Sequence, residues 1–329
     1  MCDLGGWTDT WFAGHGVVCN VAISPGAEVR VTTHTRGSLP ARVMLDVEQF
    51  GDRYGIDPDG ASPGRHPLLE AGVAAAALPA DCDIEIGVRC SLPAGSAVGT
   101  SAAIVVAMLG ALDALTPGRA SASELAASAH RVETVELGLQ SGVQDQLAAA
   151  HGGINRIDIE QFPRARVEPV TVPEPARRAL QERLLLVYLG RPHHSSTVHE
   201  QVIALLERDP DLDRLLEPLR AAARRGATAL ASGDLEAYGD ALVANTEAQT
   251  ALHPNVVGPD ARAVIAVARD CRASGWKVNG AGGGGGSVSV LASDGAAAHA
   301  TLVAELQRAD RPWELLPFRL EEGGLRVEA

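Results

Sequence analysis

The sequence predicts an α+β fold, because segments with strand and helix patterns are mixed along it without a regular βαβ alternation. Strand patterns occupy residues 17–34 and 83–90, whereas long helical patterns fill much of residues 197–273. A further strand pair is predicted to flank the glycine-rich run within residues 277–292.

Turn and capping signals bound the first elements. Residues 17–34 are predicted to form two strands broken at Pro25-Gly26, and residues 83–90 alternate like a half-buried strand that leads into a small-residue loop. A helix is expected from about Ser101 to near Leu115.

Two capping-box patterns follow this helix. Ser121 and Glu124 predict the start of a helix that ends at Gly138, and Ser141 and Gln144 predict a short helix that stops at Gly152-Gly153.

The second half of the chain begins after a proline-bearing stretch at residues 167–178, which predicts a boundary between domains at 1–165 and 166–329. A strand is expected at residues 184–190, and a helix with one or two strands is expected at the end of the chain. Helical patterns lie between them, at residues 197–207, 211–231, 234–252 and 259–273.

Composition narrows the function classes. The 329 residues carry a net charge of −13, with 46% hydrophobic, 21% charged and 3% aromatic residues. This globular and acidic composition argues against nucleic-acid and anionic-membrane binding. The apolar run Ala102–Leu112 is too short to span a bilayer, and we expect no signal peptide before the first motif. Five scattered cysteines without CxxC spacing indicate reduced thiols, so a cytoplasmic protein is expected.

The segment SLPAGSAVGTSAAIVVAML (91–109) is the most informative motif. A loop of small residues runs directly into an apolar helix, with Thr100 and Ser101 at its start. Unpartnered amides at a helix N-terminus carry partial positive charge, and small residues let a phosphate approach the backbone. This pattern indicates a nucleotide phosphate site.

Six of the seven residues in GAGGGGG (280–286) are glycine. A flexible hairpin turn is one interpretation, but a hairpin needs only one or two glycines. Close packing against another backbone or against the phosphate loop accounts better for the excess. Lys277, just before this run, is equally compatible with a structural role and with a phosphate contact.

Glu133 and Asp145 lie on consecutive predicted helices joined by a tight turn. Phosphoryl transfer requires a divalent cation across the phosphates and a carboxylate near the acceptor hydroxyl. One interpretation is that Glu133 holds the metal and Asp145 faces the hydroxyl. The alternative is that both are solvated helix charges.

The opening segment CDLGGWTDTWFAGHG places Asp9 in a turn beside Trp7. A carboxylate in a turn suits bidentate hydrogen bonds to sugar hydroxyls, and Trp7 or Trp11 suits a sugar face. A simple turn with a core tryptophan is the alternative.

These segments resemble the signatures of the GHMP kinase superfamily. LPAGSAVGTSAA (92–103) and KVNGAGGGGG (277–286) are similar to its second and third signatures. GGWTDT (5–10) and SGVQDQLAAAHGGIN (141–155) resemble the first signature and the catalytic segment of its fucokinase-like and heptose 7-phosphate kinase-like branch. The resemblance implies an N-terminal domain like ribosomal protein S5 domain 2 and a ferredoxin-like C-terminal domain.

The resemblance also implies residue roles, with ATP and Mg²⁺ as cofactors. Asp145 would be the catalytic carboxylate, and Glu133 would bind Mg²⁺ with help from Ser101 or Thr100. The phosphate loop would bind ATP through Pro93, Gly95, Ser96, Ala97, Gly99, Thr100 and Ser101. The acceptor sugar would contact Gly6, Trp7, Asp9, Gly282, Gly283 and Gly284, with the run Gly282–Gly285 bracing the phosphate loop.

Two departures from the family pattern stand out. The loop reads AVGTS where relatives read GLGSS, so Ala97 must avoid a positive φ or accept strain. The sequence begins close before the first signature, without the strand that precedes it in relatives. We expect a misassigned start, since a missing strand would leave an unpaired sheet edge.

The function expected is an ATP-dependent sugar kinase acting on a small-molecule sugar or sugar phosphate, as a monomer or homodimer without nucleic-acid or membrane partners. Its acceptor is expected to be fucose-like or heptose 7-phosphate-like, phosphorylated at the anomeric hydroxyl. A kinase of the mevalonate or homoserine type and a catalytically idle sugar or ATP sensor are the alternatives. In RPHHSSTVHE (191–200), contacts to substrate by Arg191, His194, Ser195 or Ser196, ordinary loop polarity and a metal cluster remain open.

Overall fold

A computed structural model describes residues 2–60, 62–116, 119–192, 196–209 and 211–328. The strands are β1 (Cys2–Leu4), β2 (Gly16–Val21), β3 (Ile23–Ser24), β4 (Ala27–Thr35), β5 (Val43–Val47), β6 (Asp52–Ile56), β7 (Cys82–Cys90), β8 (Ile154–Gln161), β9 (Arg164–Pro169), β10 (Leu184–Tyr188), β11 (Gly275–Val278), β12 (Ser287–Leu291), β13 (Glu314–Leu315) and β14 (Arg319–Leu320). The helices are α1 (Pro67–Ala75), α2 (Thr100–Asp113), α3 (Ala122–Arg131), α4 (Gln144–His151), α5 (Glu174–Arg183), α6 (Ser196–Leu206), α7 (Leu212–Ser232), α8 (Leu235–Leu252), α9 (Pro259–Asp270) and α10 (Ala296–Arg308). This mixture confirms the predicted α+β class.

The predicted elements lie close to the observed ones. Strands β2 to β4 occupy the predicted strand region with its break at Pro25-Gly26, and β7 and β10 lie at the predicted strands. Helices α6 to α9 match the four helical patterns of the second half. Within the part of the chain that the structure describes, every helix is too short or too polar to cross a membrane.

Contacts divide the chain into two compact units. Unit 1 consists of Met1–Ser24, Pro93–Val98 and Gly153–Glu322, and unit 2 consists of Pro25–Leu92, Gly99–Gly152 and Gly323–Ala329. Each unit is assembled from three separate segments, so this grouping does not follow the contiguous division of the chain. The division into domains 1–165 and 166–329 stays a prediction.

Unit 1 contains two four-stranded antiparallel sheets, with strand orders β1-β2-β8-β9 and β11-β12-β10-β13, and the antiparallel pair β14-β3. A core that includes Leu4, Val21, Leu230 and Tyr238 joins the first sheet to α7 and α8. A second core, with α9 and α10 against the other sheet, buries Val187, Val264, Val288 and Leu302. These cores fix the strands that flank the glycine-rich run.

Unit 2 is built on a sheet of order β4-β7-β5-β6, in which β5 and β7 are parallel and the other pairs antiparallel. Met108 and Leu112 of α2 pack into the core of this sheet with Leu45, Ile84 and Ile86. The apolar side chains of α2 are thus buried against the sheet, and their burial anchors the helix that begins at Thr100.

The capping box predicted at Ser121 is confirmed. The Glu124 amide donates to Ser121 Oγ (3.3 Å), and the Ser121 amide donates to Glu124 Oε2 (2.8 Å). The helix ends before Gly138, as predicted, but its last turn widens into a π-helix at Val132–Glu136. Such insertions often occur at functional sites, and this one contains Glu133.

The second predicted capping box is wrong. Helix α4 begins at Gln144 with Val143 as its N-cap and without a side-chain cap. The Ser141 hydroxyl donates to the Gly142 carbonyl instead (3.2 Å). A serine near a helix start can satisfy its hydroxyl in a local turn, and that competing bond is used here.

Candidate functional site

Helix α2 of unit 2 begins without a side-chain cap. Its N-cap is Gly99 at φ 79°, and its first turn contains no acidic residue. The first amides of a helix have no partners within the helix and carry partial positive charge. The predicted phosphate-binding residues Gly99, Thr100 and Ser101 thus lie at a helix end that is suited to an anion.

The Asp145 carboxylate lies against Gly99. Asp145 is half-buried in the first turn of α4. A Cβ built on Gly99 would lie 3.2 Å from both Cγ and Oδ1 of Asp145. Glycine is needed here because φ is positive and because a Cβ would crowd the Asp145 carboxylate. The acid predicted to face the acceptor hydroxyl is therefore next to the start of α2.

Glu133 is the second predicted acid, and its side chain is only 7% exposed on the π-helix. Gln146 Nε2 donates to Glu133 Oε2 (3.0 Å). Burial raises the pKa of the Glu133 carboxyl, while the nearby Ser141 hydroxyl and the hydrogen bond from Gln146 oppose that rise. Because Gln146 follows Asp145 directly, this bond ties the two acids to one short helix.

The residues of unit 2 fit a divalent cation that keeps phosphate and water ligands. Glu133 Oε1 and Thr100 Oγ1 are buried and have no hydrogen-bond partner among the described residues. The neighbouring Ser101 is exposed, so Thr100 carries the orphaned hydroxyl of the two. Across the described ranges, no group of three or more His, Cys, Asp or Glu side chains forms a metal cluster. Mg²⁺ commonly takes only one or two carboxylates together with substrate phosphates.

The loop that precedes α2 has a strained backbone in unit 1. The Ser96 amide donates to the Pro93 carbonyl (3.2 Å), which closes a turn around Gly95 at φ 71°. Ala97 follows at φ 59°. This residue therefore accepts the left-handed conformation, which is unfavourable for alanine.

Gly280, the first residue of the glycine run, and Ser287, which follows the run, contact this loop. The Ser287 hydroxyl donates to the Ser96 carbonyl (2.6 Å), and a Cβ on Gly280 would lie 3.0 Å from Ala97 Cβ. These two contacts brace the loop from Gly280, where the run begins, and from Ser287, just after it ends, and bracing by Gly282–Gly285 stays a prediction.

The middle of the glycine run packs against other backbone of unit 1. The Gly283 amide donates to the Val256 carbonyl (2.8 Å). A Cβ on Gly282 would lie 2.1 Å from that oxygen, and one on Gly285 would lie 2.5 Å from the Pro192 carbonyl. These close approaches explain the excess of glycine better than a flexible hairpin does. A Cβ on Gly284 would meet nothing within 4 Å, and the acceptor contacts of Gly282, Gly283 and Gly284 stay predictions.

The opening segment forms a buried turn. The Gly5 amide donates to Asn245 Oδ1 (2.8 Å), and the Thr8 hydroxyl donates to the Gly5 carbonyl (2.7 Å). Asp9 is 2% exposed at the end of this turn, next to the equally buried Thr8. The binding of a sugar by Asp9 stays a prediction.

Trp7 lies in a hydrophobic core of unit 1, as in the alternative of a simple turn with a core tryptophan. Its side chain is 5% exposed at φ 79°, and its ring centroid lies 5.1 Å from that of His199. The indole Nε1 is buried without a hydrogen-bond partner in the described residues. Trp11 is half-buried and donates to Glu207 Oε1 (3.0 Å). The sugar contacts assigned to Gly6 and Trp7 stay predictions.

The histidine-rich segment is described only in part. His193, His194 and Ser195 lie outside the described residues, as does the side chain of Ser196. Arg191 forms an ion pair with Asp260 (3.1 Å) on α9.

Lys277 has a structural role. Its side chain is buried, and Nζ lies 2.6 Å from Asp3 Oδ1. The open choice between a structural role and a phosphate contact is thus decided by this buried ion pair on β1.

The sequence analysis did not identify the polar side chains that hydrogen-bond to Glu133 and to the loop of residues 93–98. Gln146 was overlooked because a single glutamine on a helix has no distinctive pattern. Ser287 and Ser289 were overlooked although their alternation in Ser-Val-Ser-Val predicts that they share one face of β12.

The sequence is similar to known kinases. Residues 68–153 match the family model described as GHMP kinases N terminal domain. The chain is 25% identical over 309 residues to the bifunctional fucokinase/GDP-fucose pyrophosphorylase of Arabidopsis thaliana, covering 88% of this chain and 29% of that protein. It is 27% identical to the mevalonate kinase of Methanothermobacter thermautotrophicus (63% and 64% covered) and 24% identical to the D-glycero-alpha-D-manno-heptose 7-phosphate kinase of Campylobacter jejuni (59% and 57% covered). The chain thus spans less than two thirds of these relatives.

Solved structures of the same fold cover almost the whole chain. A D-glycero-D-manno-heptose 1-phosphate kinase from Bacteroides thetaiotaomicron superposes with a TM-score of 0.73 at 21% identity, covering 99% of this chain and 96% of that one. The mevalonate kinase of Methanococcus jannaschii superposes with a TM-score of 0.74 at 16% identity (96% and 94% covered). The chain thus carries a match to the GHMP kinase N-terminal domain over residues 68–153 and shares the fold of these solved kinases.

Proposed function

We propose that this protein is an ATP-dependent sugar kinase. It transfers the γ-phosphate of ATP to the anomeric hydroxyl of a fucose-like or heptose 7-phosphate-like acceptor. The observation that carries the proposal is the Asp145 carboxylate packed against Gly99 at the uncapped start of α2. This contact supports the proposal, because it brings the carboxylate proposed as general base next to the helix end proposed to bind phosphate.

Each part has a role in phosphoryl transfer. The amides at the start of α2 stabilise negative charge on the phosphates. Asp145 orients the acceptor hydroxyl and accepts its proton, because a positioned carboxylate is the group this reaction needs. Asp9, Gly6, Trp7 and Gly282–Gly284 are proposed to bind the acceptor.

The proposed metal ligands are Glu133 and a hydroxyl at the start of α2, from Ser101 or Thr100. When bound, Mg²⁺ neutralises charge on the phosphate oxygens. Gln146 keeps Oε2 of Glu133 engaged and leaves Oε1 for such a ligand.

The acceptor class rests on the first signature and on the relatives. GGWTDT and the segment around Asp145 resemble the fucokinase-like and heptose kinase-like branch, and a bifunctional fucokinase and a heptose 7-phosphate kinase are among the relatives. Mevalonate kinases are similar to the chain as well, so a kinase of that type is the second candidate. We further propose a cytoplasmic monomer or homodimer.

A coupled ADP-release assay with MgATP tests this proposal. The panel contains L-fucose, D-galactose, heptose 7-phosphates, mevalonate and homoserine, and phosphorus NMR locates the new phosphate. Turnover of one sugar with phosphate on C1 supports the proposal. Turnover of mevalonate supports the second candidate, and nucleotide binding without turnover of any acceptor supports an idle sensor.

A further inference from the structure

A row of buried polar groups runs through unit 1 to the loop of residues 93–98. Ser289 Oγ lies 3.2 Å from Cys2 Sγ and 3.0 Å from Asn279 Oδ1. Asn279 Nδ2 donates to Ser287 Oγ (3.1 Å). The three polar side chains on β12 and beside it are at most 1% exposed. The row ends where the Ser287 hydroxyl donates to the Ser96 carbonyl.

The hydrogen bonds in this row have one consistent direction. A hydroxyl has a single hydrogen, and Ser287 uses its own for the Ser96 carbonyl, so it accepts from the Asn279 amide. The Asn279 oxygen then faces Ser289, whose hydroxyl donates to it. In the remaining contact, Ser289 Oγ accepts a hydrogen bond from the Cys2 thiol. Burial raises the pKa of this thiol, so it stays protonated. Asn279 thereby fixes the direction in which Ser287 donates.

The bond from Ser287 acts on the peptide group that carries the strain. The Ser96 carbonyl belongs to the peptide that enters Ala97, the residue held at φ 59°. Gly280 closes the other side, because a Cβ there would lie 3.0 Å from Ala97 Cβ. An alanine in this region relaxes to negative φ unless its surroundings hold it.

We propose that Ser287 is a positioning residue that holds the phosphate loop in its strained conformation, with Asn279 setting the direction of its hydrogen bond. The inference rests on the proposed function, because it assigns the loop to nucleotide phosphate. The loop amides then meet the phosphates without a preceding rearrangement, and this preorganisation increases nucleotide affinity.

The first test compares Ser287→Ala with Thr246→Val. Thr246 is a buried residue of unit 1 whose hydroxyl donates to the Trp276 carbonyl (2.9 Å), so both variants remove a bond of the same kind. Calorimetric titration with MgADP is expected to give a Kd about 10-fold higher for Ser287→Ala, and no change for Thr246→Val. If both variants lower the melting temperature equally, Thr246→Val is a suitable control for the loss of stability in Ser287→Ala.

The second test uses Ala97→Gly. Glycine has no preference for negative φ, so the loop no longer relaxes when the bond from Ser287 is lost. In the Ala97→Gly background, Ser287→Ala should therefore raise the Kd for MgADP by about 3-fold or less. Hydrogen exchange of the loop amides without nucleotide should speed up in Ser287→Ala and return towards the wild-type rate in the double variant.

The outcomes separate this inference from the proposed function. A wild-type protein that does not bind MgADP overturns both. A wild-type protein that binds MgADP, with a Ser287→Ala variant no weaker than Thr246→Val or equally weak in both Ala97 backgrounds, overturns only the role of Ser287. An unchanged loop exchange rate in Ser287→Ala overturns that role as well.

Discussion

Gly99→Ala should slow the chemical step by moving Asp145. The new Cβ would lie 3.2 Å from the Asp145 carboxylate carbon, which is closer than ordinary van der Waals contact, so the carboxylate must shift by a few tenths of an ångström. A misplacement of about 1 Å can cost about 10²-fold in rate. We therefore expect kcat to fall by about 4-fold to 10-fold.

The same substitution also strains the backbone, and this effect needs a control. Alanine at φ 79° costs about 1–2 kcal/mol of folding stability. Gly37 of unit 2 has φ 82°, and a Cβ there meets nothing within 4 Å. Gly37→Ala thus has the strain without the contact, and it should lose as much stability while keeping the wild-type kcat.

Steady-state kinetics with the acceptor found in the screen, together with urea unfolding of both variants, measures these effects. If Gly99→Ala has the same kcat as Gly37→Ala at equal stability loss, the contact does not position Asp145, and the reasoning is refuted.

Three further predictions concern carboxylates of unit 2. Asp145→Asn should lower kcat by at least about 10³-fold and leave the Kd for MgADP within about 2-fold, because only proton acceptance is lost; an unchanged kcat would remove Asp145 from the mechanism. Glu133→Gln should raise the Mg²⁺ concentration for half-maximal rate about 10-fold or more, and an unaltered Mg²⁺ dependence would contradict metal binding. Glu70 accepts hydrogen bonds from Tyr54, Ser62 and the amides of Gly64, Arg65 and His66, and its pKa is lowered from 4.5 to about 2 despite the opposing effect of its burial. Because the pKa of Glu70 is lower in the folded state, its carboxylate stabilises the fold above about pH 4.5, and this stabilisation is lost as the pH falls towards 2. Glu70→Gln should therefore lower the free energy of unfolding by about 3 kcal/mol at pH 7 and flatten its dependence on pH between 2 and 4.5. An equal slope of the free energy of unfolding against pH in both proteins would contradict this prediction.

Local signals in the sequence were sufficient where the stabilising partners are near in the chain. The capping box of Ser121 and Glu124 was predicted because both partners lie within one turn. The same pattern failed at Ser141, because its hydroxyl donates to the neighbouring Gly142 carbonyl. The pattern gives the possible bonds, but the competing local geometry decides which one forms.

Long-range partners account for most of what the sequence did not predict. Asp145 and Glu133 were identified as a pair from their spacing, yet the close contact with Gly99 and the bond from Gln146 depend on packing. Ser96 and Ser287 are 191 residues apart in the chain. A strained Ala97 was anticipated as one of two possibilities, because its φ depends on what holds the loop.

The division of the chain into interleaved segments bears on how the protein folds during synthesis. Residues 323–328 belong to the unit that contains Asp145: the Leu325 amide donates to the Ala150 carbonyl (3.1 Å), and a Cβ on Gly110 would lie 2.4 Å from Leu325 Cδ2. The ribosome completes all of unit 1 before these residues are made. During synthesis, the apolar surface of α2 that Leu325 covers therefore stays exposed until a segment about 170 residues downstream of α4 has been made. Contacts between residues so far apart in the chain form slowly. A nascent chain stalled before residue 323 is accordingly a natural target for chaperones, since its uncovered apolar surface favours aggregation.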